Sequence, residues 1–317
     1  MLSTTQHVMF LWTALLLVLP SALSAPTRRT ECTNPKIRRE WNTLPQEKRD
    51  AFHEAVKCLQ TKPSIVESGG VSKTLYDDYA YIHFTMNQTI HKVASFHPWH
   101  RYFLAMREKD LSECGYTDGI PYWDWTRDAG SVAEFKQSKI FDPETGFGST
   151  GFPEGDNSTA SCVENGPYAG MQVNFPEPHC LRRSFNLTDD MPGNWTSSMV
   201  NQIMDYPDYI SFWNNSERIS HDHIHRAIGG DMRRQYSPNE PLFFIHHSQT
   251  DRLWTLWQGR NQTRLSDYGG NTVQNVFANT ASLSDKLSYM GLAEDQTVES
   301  LMDTLSNGLC YKYDDDE

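Results

Sequence analysis

Three histidines lie within five residues in the segment HDHIH. Side chains four residues apart lie on one face of a helix, so His221 and His225 can bind one ion together, whereas His223 points away. A second pair, His246 and His247, follows in FFIHHSQTDRLW. Adjacent residues are about 100° apart on a helix, so only one of them can face the same ion. The spacing therefore predicts a three-histidine site made of the first pair and one member of the second.

A second histidine cluster lies earlier in the chain. His83 and His91 are eight residues apart, about two helical turns, and so lie roughly on one side of a helix. His100 follows Pro98, at which we expect the helical pattern to break, and His97 lies beside that break. Nine of the 12 histidines belong to these two clusters. This concentration indicates metal binding, because structural roles do not require it.

The ligand type narrows the choice of metal. Neutral imidazole suits zinc, copper, iron and nickel. Sets made only of histidine, without a carboxylate or thiolate partner, leave zinc and copper as the main candidates. A zinc hydrolase is the weaker alternative, because no HExxH motif is present to supply a general base.

These histidines need helices to bring them together. Apolar periodicity predicts a mainly α fold, in one domain of about residues 30–313. The predicted helical segments are 36–61 (one helix or two), 75–93, 99–114, 198–230 and 243–261. Residues 127–194 are rich in glycine, proline, asparagine and serine, which predicts long loops with a few short strands.

The N-terminus is typical of a secretory signal peptide. An apolar run over about Val8 to Leu19 precedes small residues up to Ala25, and it is too short to favour a membrane anchor. We therefore expect residues 1–25 to be a signal peptide and 26–317 to form the mature domain, secreted and extracellular. The net charge of −12 argues against nucleic acid or an anionic membrane as a partner.

Cysteines and glycosylation motifs agree with export. Six cysteines in an exported chain predict disulfides, but they allow 15 pairings. One arrangement closes a local loop, ties the chain ends together and pairs the remaining two: Cys162–Cys180, Cys32–Cys310 and Cys58–Cys114. The Asn-x-Ser/Thr motifs begin at Asn87, Asn157, Asn186, Asn194, Asn214 and Asn261. Asn87 is the least suitable for a glycan, because it lies between two candidate metal ligands.

Two longer motifs resemble the copper-binding motifs of tyrosinases and catechol oxidases. The first is HFTMNQTIHKVASFHPWHRYF, and the second is HDHIHRAIGG followed by PLFFIHHSQTDRLW. The resemblance extends to RREW near the N-terminus, PYWDW in the middle and CYKY near the C-terminus. It is closest to the short, secreted polyphenol oxidases of filamentous fungi.

The resemblance implies a four-helix bundle that holds a binuclear type-3 copper site. Two copper ions, with O2 as co-substrate, would oxidise small o-diphenols to o-quinones, with weaker ortho-hydroxylation of monophenols. The family uses the second histidine of the HH pair, so His246 becomes a neighbour of the site. The implied ligands are His83, His91 and His100 for copper A, and His221, His225 and His247 for copper B.

Three further residues take functional positions by the same resemblance. Tyrosinases often carry asparagine after the first copper B histidine, and that asparagine acts with a glutamate on the incoming phenol. Here these positions are Asp222 and Glu217, and Asp222 when ionised cannot donate a hydrogen bond. We therefore expect diphenol oxidation to exceed monophenol hydroxylation. Arg226 lies where the family places a residue at the pocket entrance.

Other positions depart from the family or support its fold. Many fungal relatives bond a cysteine to the second copper A histidine, but Thr89 occupies that position, so we expect no thioether. Asp251 can orient a ligand ring or complete a local network. Arg38 or Arg39 is expected to pack on Tyr311 or Tyr313. No C-terminal plug domain is expected. We interpret His53 and His179 as structural, and we expect neither His97 nor His223 to be a ligand.

Two alternatives to a phenol oxidase share the same site. An o-aminophenol oxidase would act on a different substrate, and a haemocyanin-like protein would bind O2 without turnover.

Overall fold

The computed structural model describes residues 1–2, 32–150, 162–306 and 308–316. Residues 3–25 of the expected signal peptide and the motif at Asn157 lie outside these ranges. The described helices are α1 (Gln46–Cys58), α2 (Leu75–Ile90), α3 (Phe96–Glu113), α4 (Val132–Lys136), α5 (Ser197–Met204), α6 (Tyr209–Asn215), α7 (Asp222–Ile228) and α8 (Leu242–Gly259). The strands are β1 (Lys36–Arg38), β2 (Gln172–Val173), β3 (His179–Cys180), β4 (Lys286–Leu287), β5 (Gln296–Thr297) and β6 (Tyr311–Tyr313). The mainly α prediction is confirmed.

Helices α2, α3, α7 and α8, with the residues that flank α2 and α7, carry the two histidine clusters. A π-helical turn, Ser216–His221, joins α6 to α7. Helix α2 begins with a capping box, in which Thr74 and Asp77 satisfy each other's backbone N–H groups. Large side chains fill the space between the helices, among them Trp99, Phe103 and Trp254, all fully buried. The packed aromatic core leaves room for the histidines only where the helices face one another.

Three boundary predictions were wrong. Residues 36–38 form β1 and not a helix, because they pair in parallel with β6. Helix α2 ends at Ile90, and His91 has extended backbone angles, φ −125° and ψ 143°. Pro98 does not break a helix. It is the third residue of α3, within the first turn, where a backbone N–H has no acceptor inside the helix.

The strand pair β1–β6 is fastened to the bundle by buried charge. Asp251 on α8 accepts hydrogen bonds from Arg101 at 2.6 Å and from Arg38 at 3.3 Å. Tyr311 and Tyr313 donate to the same carboxylate at 2.5 and 2.7 Å. The Arg38 guanidinium also lies 3.5 Å from the centre of the Tyr311 ring, a cation–π contact. The packing expected of Arg38 is confirmed, and Asp251 completes this network.

Disulfides hold the loops and the two chain ends. The bonds are Cys32–Cys310, Cys58–Cys114 and Cys162–Cys180. This is the arrangement given above as one of the 15 possible pairings. It uses all six cysteines of the chain, so none remains to form a thioether with His91. Within the described residues, each helix is too short or too polar to span a lipid bilayer.

Candidate metal centre

Two groups of histidines converge at the centre of the bundle. The nitrogen atoms within each group lie within 4.8 Å of one another. The first group is His83, His91 and His100, and the second is His221, His225, His246 and His247. The two groups adjoin, because the His100 and His247 rings stack with centroids 4.4 Å apart. The structure thus brings together every histidine that the sequence predicted for the two sites.

Backbone carbonyls orient the rings of the first group. His83 Nδ1 lies 2.6 Å from the carbonyl oxygen of Gln235, and His100 Nδ1 lies 2.7 Å from that of Phe96. A carbonyl accepts only, so each Nδ1 carries the proton and each Nε2 keeps a free lone pair. Both Nε2 atoms are buried, with no hydrogen-bond partner in the described structure. A metal ion would satisfy them.

The second group converges more tightly. His225 Nδ1 donates to the carbonyl of Met232 at 2.6 Å. His221 Nδ1 lies 3.1 Å from Asp222 Oδ1. The Nε2 atoms of both rings lie 3.3 Å from Nε2 of His247. The acceptors beside Nδ1 of His221 and His225 leave lone pairs on their Nε2 atoms, and both atoms face Nε2 of His247, so a cation can bind between the three nitrogens.

His246 and His247 differ in their geometry. The His246 ring lies beside His221 and His225, with centroids 5.2 and 5.0 Å away. Both of its ring nitrogens are buried without a partner. Spacing left the choice between these two residues open. The 3.3 Å contacts of His247 Nε2 favour His247 as the third member of the site.

His91 reaches the first group from outside the helix. Its Nδ1 lies 3.4 Å from the Asn87 backbone oxygen and 3.2 Å from the Asn87 side-chain amide. The next residue, Lys92, has a φ of +55°, and its N–H donates to Glu217 at 2.7 Å. The chain therefore turns sharply at the end of α2, and this turn directs His91 toward the other two rings.

Burial keeps these rings neutral. Removal from water lowers the pKa of His83 to about 4. Burial and the neighbouring histidines lower the pKa of His91, His100, His225 and His247 well below the ordinary value. Neutral imidazoles have the lone pairs that metal binding requires, so at neutral pH these five rings can bind an ion without first losing protons.

Two carboxylates beside the histidines titrate differently. Glu217 is 1% exposed, and burial raises its pKa to about 8. It accepts hydrogen bonds at 2.7 Å from the Lys92 N–H and from the Trp213 ring N–H. Burial acts to raise the pKa of Asp222, but the hydrogen bond with His221 and nearby positive charge hold that pKa below its ordinary value. One carboxylate is therefore mostly neutral at pH 7, whereas the other is ionised.

A cavity of about 370 Å³ connects the histidines to solvent. Its walls include His83, His91, His221, His225 and both carboxylates, and Arg226 lies at the mouth with half of its side chain exposed. The π-helical turn carries Glu217 and His221 on this wall, and such turns often occur at functional sites. All three non-histidine site residues predicted from the sequence thus line the cavity.

The remaining histidines have structural partners, as predicted. His53 Nδ1 shares a hydrogen bond with Tyr168 at 2.8 Å, and His97 Nε2 lies 2.9 Å from Ser216 Oγ. His179 pairs with Asp231 at 3.2 Å. His223 donates to the carbonyl of Ile219 at 2.6 Å. Asp251 was expected either to orient a ligand ring or to complete a local network. Among the described residues it contacts no ligand ring, and it joins the network of Arg38 and Arg101.

Sequence reasoning missed the groups that orient the rings. The acceptors at Gln235 and Met232 are backbone carbonyls, which any residue type provides, so no sequence signal identifies them. Asn87 was noted only as a doubtful glycan site, although a polar residue four before a candidate ligand was a usable signal. The side chain of Asn87 also accepts from Gln235 at 3.3 Å, so a glycan there would block the cavity.

Comparison with known proteins agrees with this geometry. Residues 73–260 match the family model described as the common central domain of tyrosinase. The chain is 37% identical to Tyrosinase ustQ of Aspergillus flavus over 313 residues, which covers 95% of this chain and 86% of the relative. It is 36% identical to the Tyrosinase-like protein phomQ1' of Diaporthe leptostromiformis, covering 90% and 81%.

Solved structures show the same fold. The polyphenol oxidase of Thermothelomyces thermophila superposes with a TM-score of 0.76 at 30% identity, over 88% of each chain. A functional unit of octopus hemocyanin has a TM-score of 0.57 at 19% identity, over 88% of this chain and 68% of that one. The second likeness concerns the fold alone.

Proposed function

The chain belongs to the tyrosinase family of binuclear copper proteins, and we propose that it is a polyphenol oxidase that oxidises o-diphenols to o-quinones with O2. The observation that carries this proposal is the convergence of two adjacent histidine groups at the floor of a cavity open to solvent. Buried imidazoles, among them His83 and His100 with unpartnered Nε2 atoms, fit the copper that the family binds.

We assign three histidines to each copper ion. His246 is left out, because only His247 lies at 3.3 Å from both of the other second-group nitrogens. Bound copper supplies one-electron redox chemistry at two neighbouring ions, so that the pair can exchange two electrons with a phenol or with O2. The proposed ligands are His83, His91 and His100 for copper A, and His221, His225 and His247 for copper B.

The protein itself holds the rings, admits the phenol and moves protons. Oxidation of two catechols by one O2 gives two quinones and two waters, so each catechol releases two protons and two electrons. Asp222 is ionised and lines the cavity, so it can accept a hydrogen bond from an incoming hydroxyl group. Glu217, with its pKa near 8, can hold or return a proton at neutral pH.

Aspartate at position 222, where tyrosinases often carry asparagine, favours diphenol oxidation. An ionised carboxylate accepts hydrogen bonds only, so Asp222 cannot donate to a water held against Glu217 as an amide would. Monophenol hydroxylation requires removal of a phenolic proton before the ring is attacked. We therefore infer that it is weaker here than the oxidation of o-diphenols.

We further propose that the protein is secreted as residues 26–317, after removal of a signal peptide. Three disulfides support this proposal, because such bonds persist in oxidising compartments.

A substrate panel tests the proposed activity. Recombinant protein is loaded with copper, its copper content is measured, and O2 uptake is followed with catechol, 2-aminophenol and tyramine. We expect two copper ions per chain and uptake that is fastest with catechol. Fastest uptake with 2-aminophenol would indicate an aminophenol oxidase, and reversible O2 binding without quinone would contradict an oxidase. The His225→Asn variant serves as the inactive control.

A further inference from the structure

The mouth of the cavity concentrates positive charge. Four exposed cationic side chains line it, here named the basic rim: Lys92, Arg226, Arg233 and Arg234. Among the described residues of the lining, the only carboxylates are Glu217, which is 1% exposed, and Asp222, whose side chain is 23% exposed. The chain as a whole has a net charge of −12, so the rim opposes the overall charge.

The fold places two of these arginines through the site itself. The carbonyl of Met232 accepts from the ring of His225 at 2.6 Å. The carbonyl of Gln235 accepts from the ring of His83, also at 2.6 Å. The two arginines are the residues between these carbonyls. The segment that orients one ring of each histidine group therefore also presents two guanidinium groups at the mouth.

Hydrogen bonds also hold the backbone of Lys92. Its N–H donates to Glu217 at 2.7 Å, and its carbonyl accepts from Asn271 at 2.9 Å. Its side chain is exposed and lines the same mouth from a different part of the chain, the turn that follows α2. Lys92 and the two arginines thus reach the rim from two separate segments, each held by contacts to the site.

Three of the four cations are not neutralised. Across the described ranges, the only ion pair of a rim residue is the 3.8 Å contact between Arg226 and Asp222. No carboxylate lies within ion-pair distance of Lys92, Arg233 or Arg234 in that part of the chain. These side chains are therefore available to an anion that enters the cavity.

We propose that the basic rim selects phenolic substrates that carry a carboxylate group. The inference rests on the proposed phenol oxidation, because a ring that enters with its hydroxyls toward the histidines leaves its other substituent at the mouth. A carboxylate there meets several cations, and guanidinium groups bind carboxylates through paired hydrogen bonds. Exposed charges also raise the local concentration of an oppositely charged substrate, an effect that salt screens.

The test compares three catechols that differ in charge: 3,4-dihydroxyphenylacetate, 4-methylcatechol and dopamine. For the copper-loaded enzyme we expect kcat/KM to decrease in that order. In the R233Q/R234Q variant the preference for the carboxylate over 4-methylcatechol should fall about tenfold, mainly through KM. Added salt should reduce the same preference in the wild type. K286Q removes an exposed cation away from the cavity and should keep the preference.

A binding measurement separates this inference from the proposed function. Titration calorimetry gives the Kd of benzoate and of the neutral benzamide for the copper-loaded protein and for R233Q/R234Q. We expect benzoate to lose about tenfold in affinity in the variant and benzamide to change little. If no catechol is oxidised but benzoate binding depends on the arginines, the oxidase proposal fails, whereas carboxylate binding at the rim is supported. Equal kcat/KM for the three catechols, or a preference unchanged in the variant and in salt, overturns the rim proposal.

Discussion

The side-chain amide of Asn87 lies 3.2 Å from Nδ1 of His91, four residues later in the chain. A histidine that binds an ion through Nε2 carries its proton on Nδ1, and that N–H needs an acceptor. The backbone oxygen of Asn87 supplies that acceptor, 3.4 Å from Nδ1. The side-chain atom at 3.2 Å is the amide nitrogen, and the amide oxygen accepts from Gln235 at 3.3 Å. Asn87 therefore holds His91 in place, as the carbonyls of Gln235 and Phe96 hold the other two rings of that group.

Asn87→Ala should weaken copper binding, because the His91 ring loses its side-chain partner. Loss of a group that orients a ligand typically lowers metal affinity by about 10- to 100-fold. Asn87→Asp keeps a polar side chain there, whose carboxylate can accept from the Nδ1 N–H, and should lose less. Copper content after dialysis against a graded chelator measures the difference. Equal copper retention in the wild type and the alanine variant would show that Asn87 does not orient the ring.

Thr89→Ala is the matched control for this pair. It removes the glycosylation motif while leaving Asn87 in place, and the Thr89 hydroxyl contacts only the Met86 carbonyl, at 2.9 Å. We expect its copper content to match the wild type. We also expect the intact mass of the secreted protein to change only by the substitution, because a glycan on Asn87 would fill the cavity. A loss of glycan mass in this variant would contradict that expectation.

Residue spacing predicted the metal ligands more reliably than it predicted where the helices around them end. His221 and His225 were predicted because a four-residue separation on a helix has one geometric meaning. His91 was assigned to a helix that in fact ends one residue earlier. The contacts that set this end, from Lys92 to Glu217 and from Asn271 to Lys92, join segments more than 100 residues apart. Local periodicity carries no information about such contacts.

Proline was given too much weight in the first cluster. Pro98 was expected to divide two helices, but it lies in the first turn of α3, where its missing N–H has no intrahelical acceptor to lose.

The family resemblance chose His247 over His246, a choice that spacing could not make, and the 3.3 Å contacts of its Nε2 agree with it. The π-helical turn before Asp222 had no signal in the sequence.

Asp251→Asn should strongly destabilise the fold. The substitution leaves Arg38 and Arg101, both fully buried, without their shared carboxylate. Breaking a buried ion pair on one side typically costs about 3–5 kcal/mol. Urea unfolding at pH 7 measures the change. The control is Asp205→Asn, which breaks an exposed pair with Arg260 and should cost less than about 1 kcal/mol. Similar losses in both variants would contradict the structural role of Asp251.

His53 should make the protein sensitive to acid. Burial lowers its pKa to about 3, whereas the unfolded chain has an ordinary histidine pKa near 6.5. The unfolded state therefore binds the extra proton between these values, and stability present above about pH 6.5 is lost as the pH falls toward about 3. The difference between these two pKa values limits the loss in the free energy of unfolding to about 5 kcal/mol.

A pair of variants isolates this proton. His53→Phe removes the titrating group, and Tyr168→Phe removes its hydrogen-bond partner while keeping the histidine. The free energy of unfolding, measured by urea from pH 7 to pH 4, should fall less steeply in His53→Phe than in Tyr168→Phe. Other histidines contribute equally to both slopes. Parallel slopes would mean that His53 is protonated in the folded state.

Asp222→Asn should raise the ratio of monophenol hydroxylation to diphenol oxidation. The amide can donate to a water or to Glu217, which the ionised aspartate cannot do. General base assistance is worth about 100-fold or more, so we expect a change of at least about tenfold in the ratio for tyramine over catechol. Asp222→Ala, which offers no donor, is the control and should leave the ratio low. A wild-type enzyme that hydroxylates tyramine rapidly and without a lag would already contradict this view of Asp222.

His246 and His247 should respond in opposite ways to removal. His247→Asn takes away the nitrogen that lies 3.3 Å from both His221 and His225, so copper content should fall from two ions per chain toward one. His246→Leu removes two buried nitrogens that have no partner among the described residues. Replacing unpaired buried polar atoms by an apolar group of similar size costs little stability or increases it. We therefore expect this variant to keep two copper ions and an unchanged or higher melting temperature. Loss of one copper in His246→Leu, with retention in His247→Asn, would reverse the assignment and make His246 the ligand.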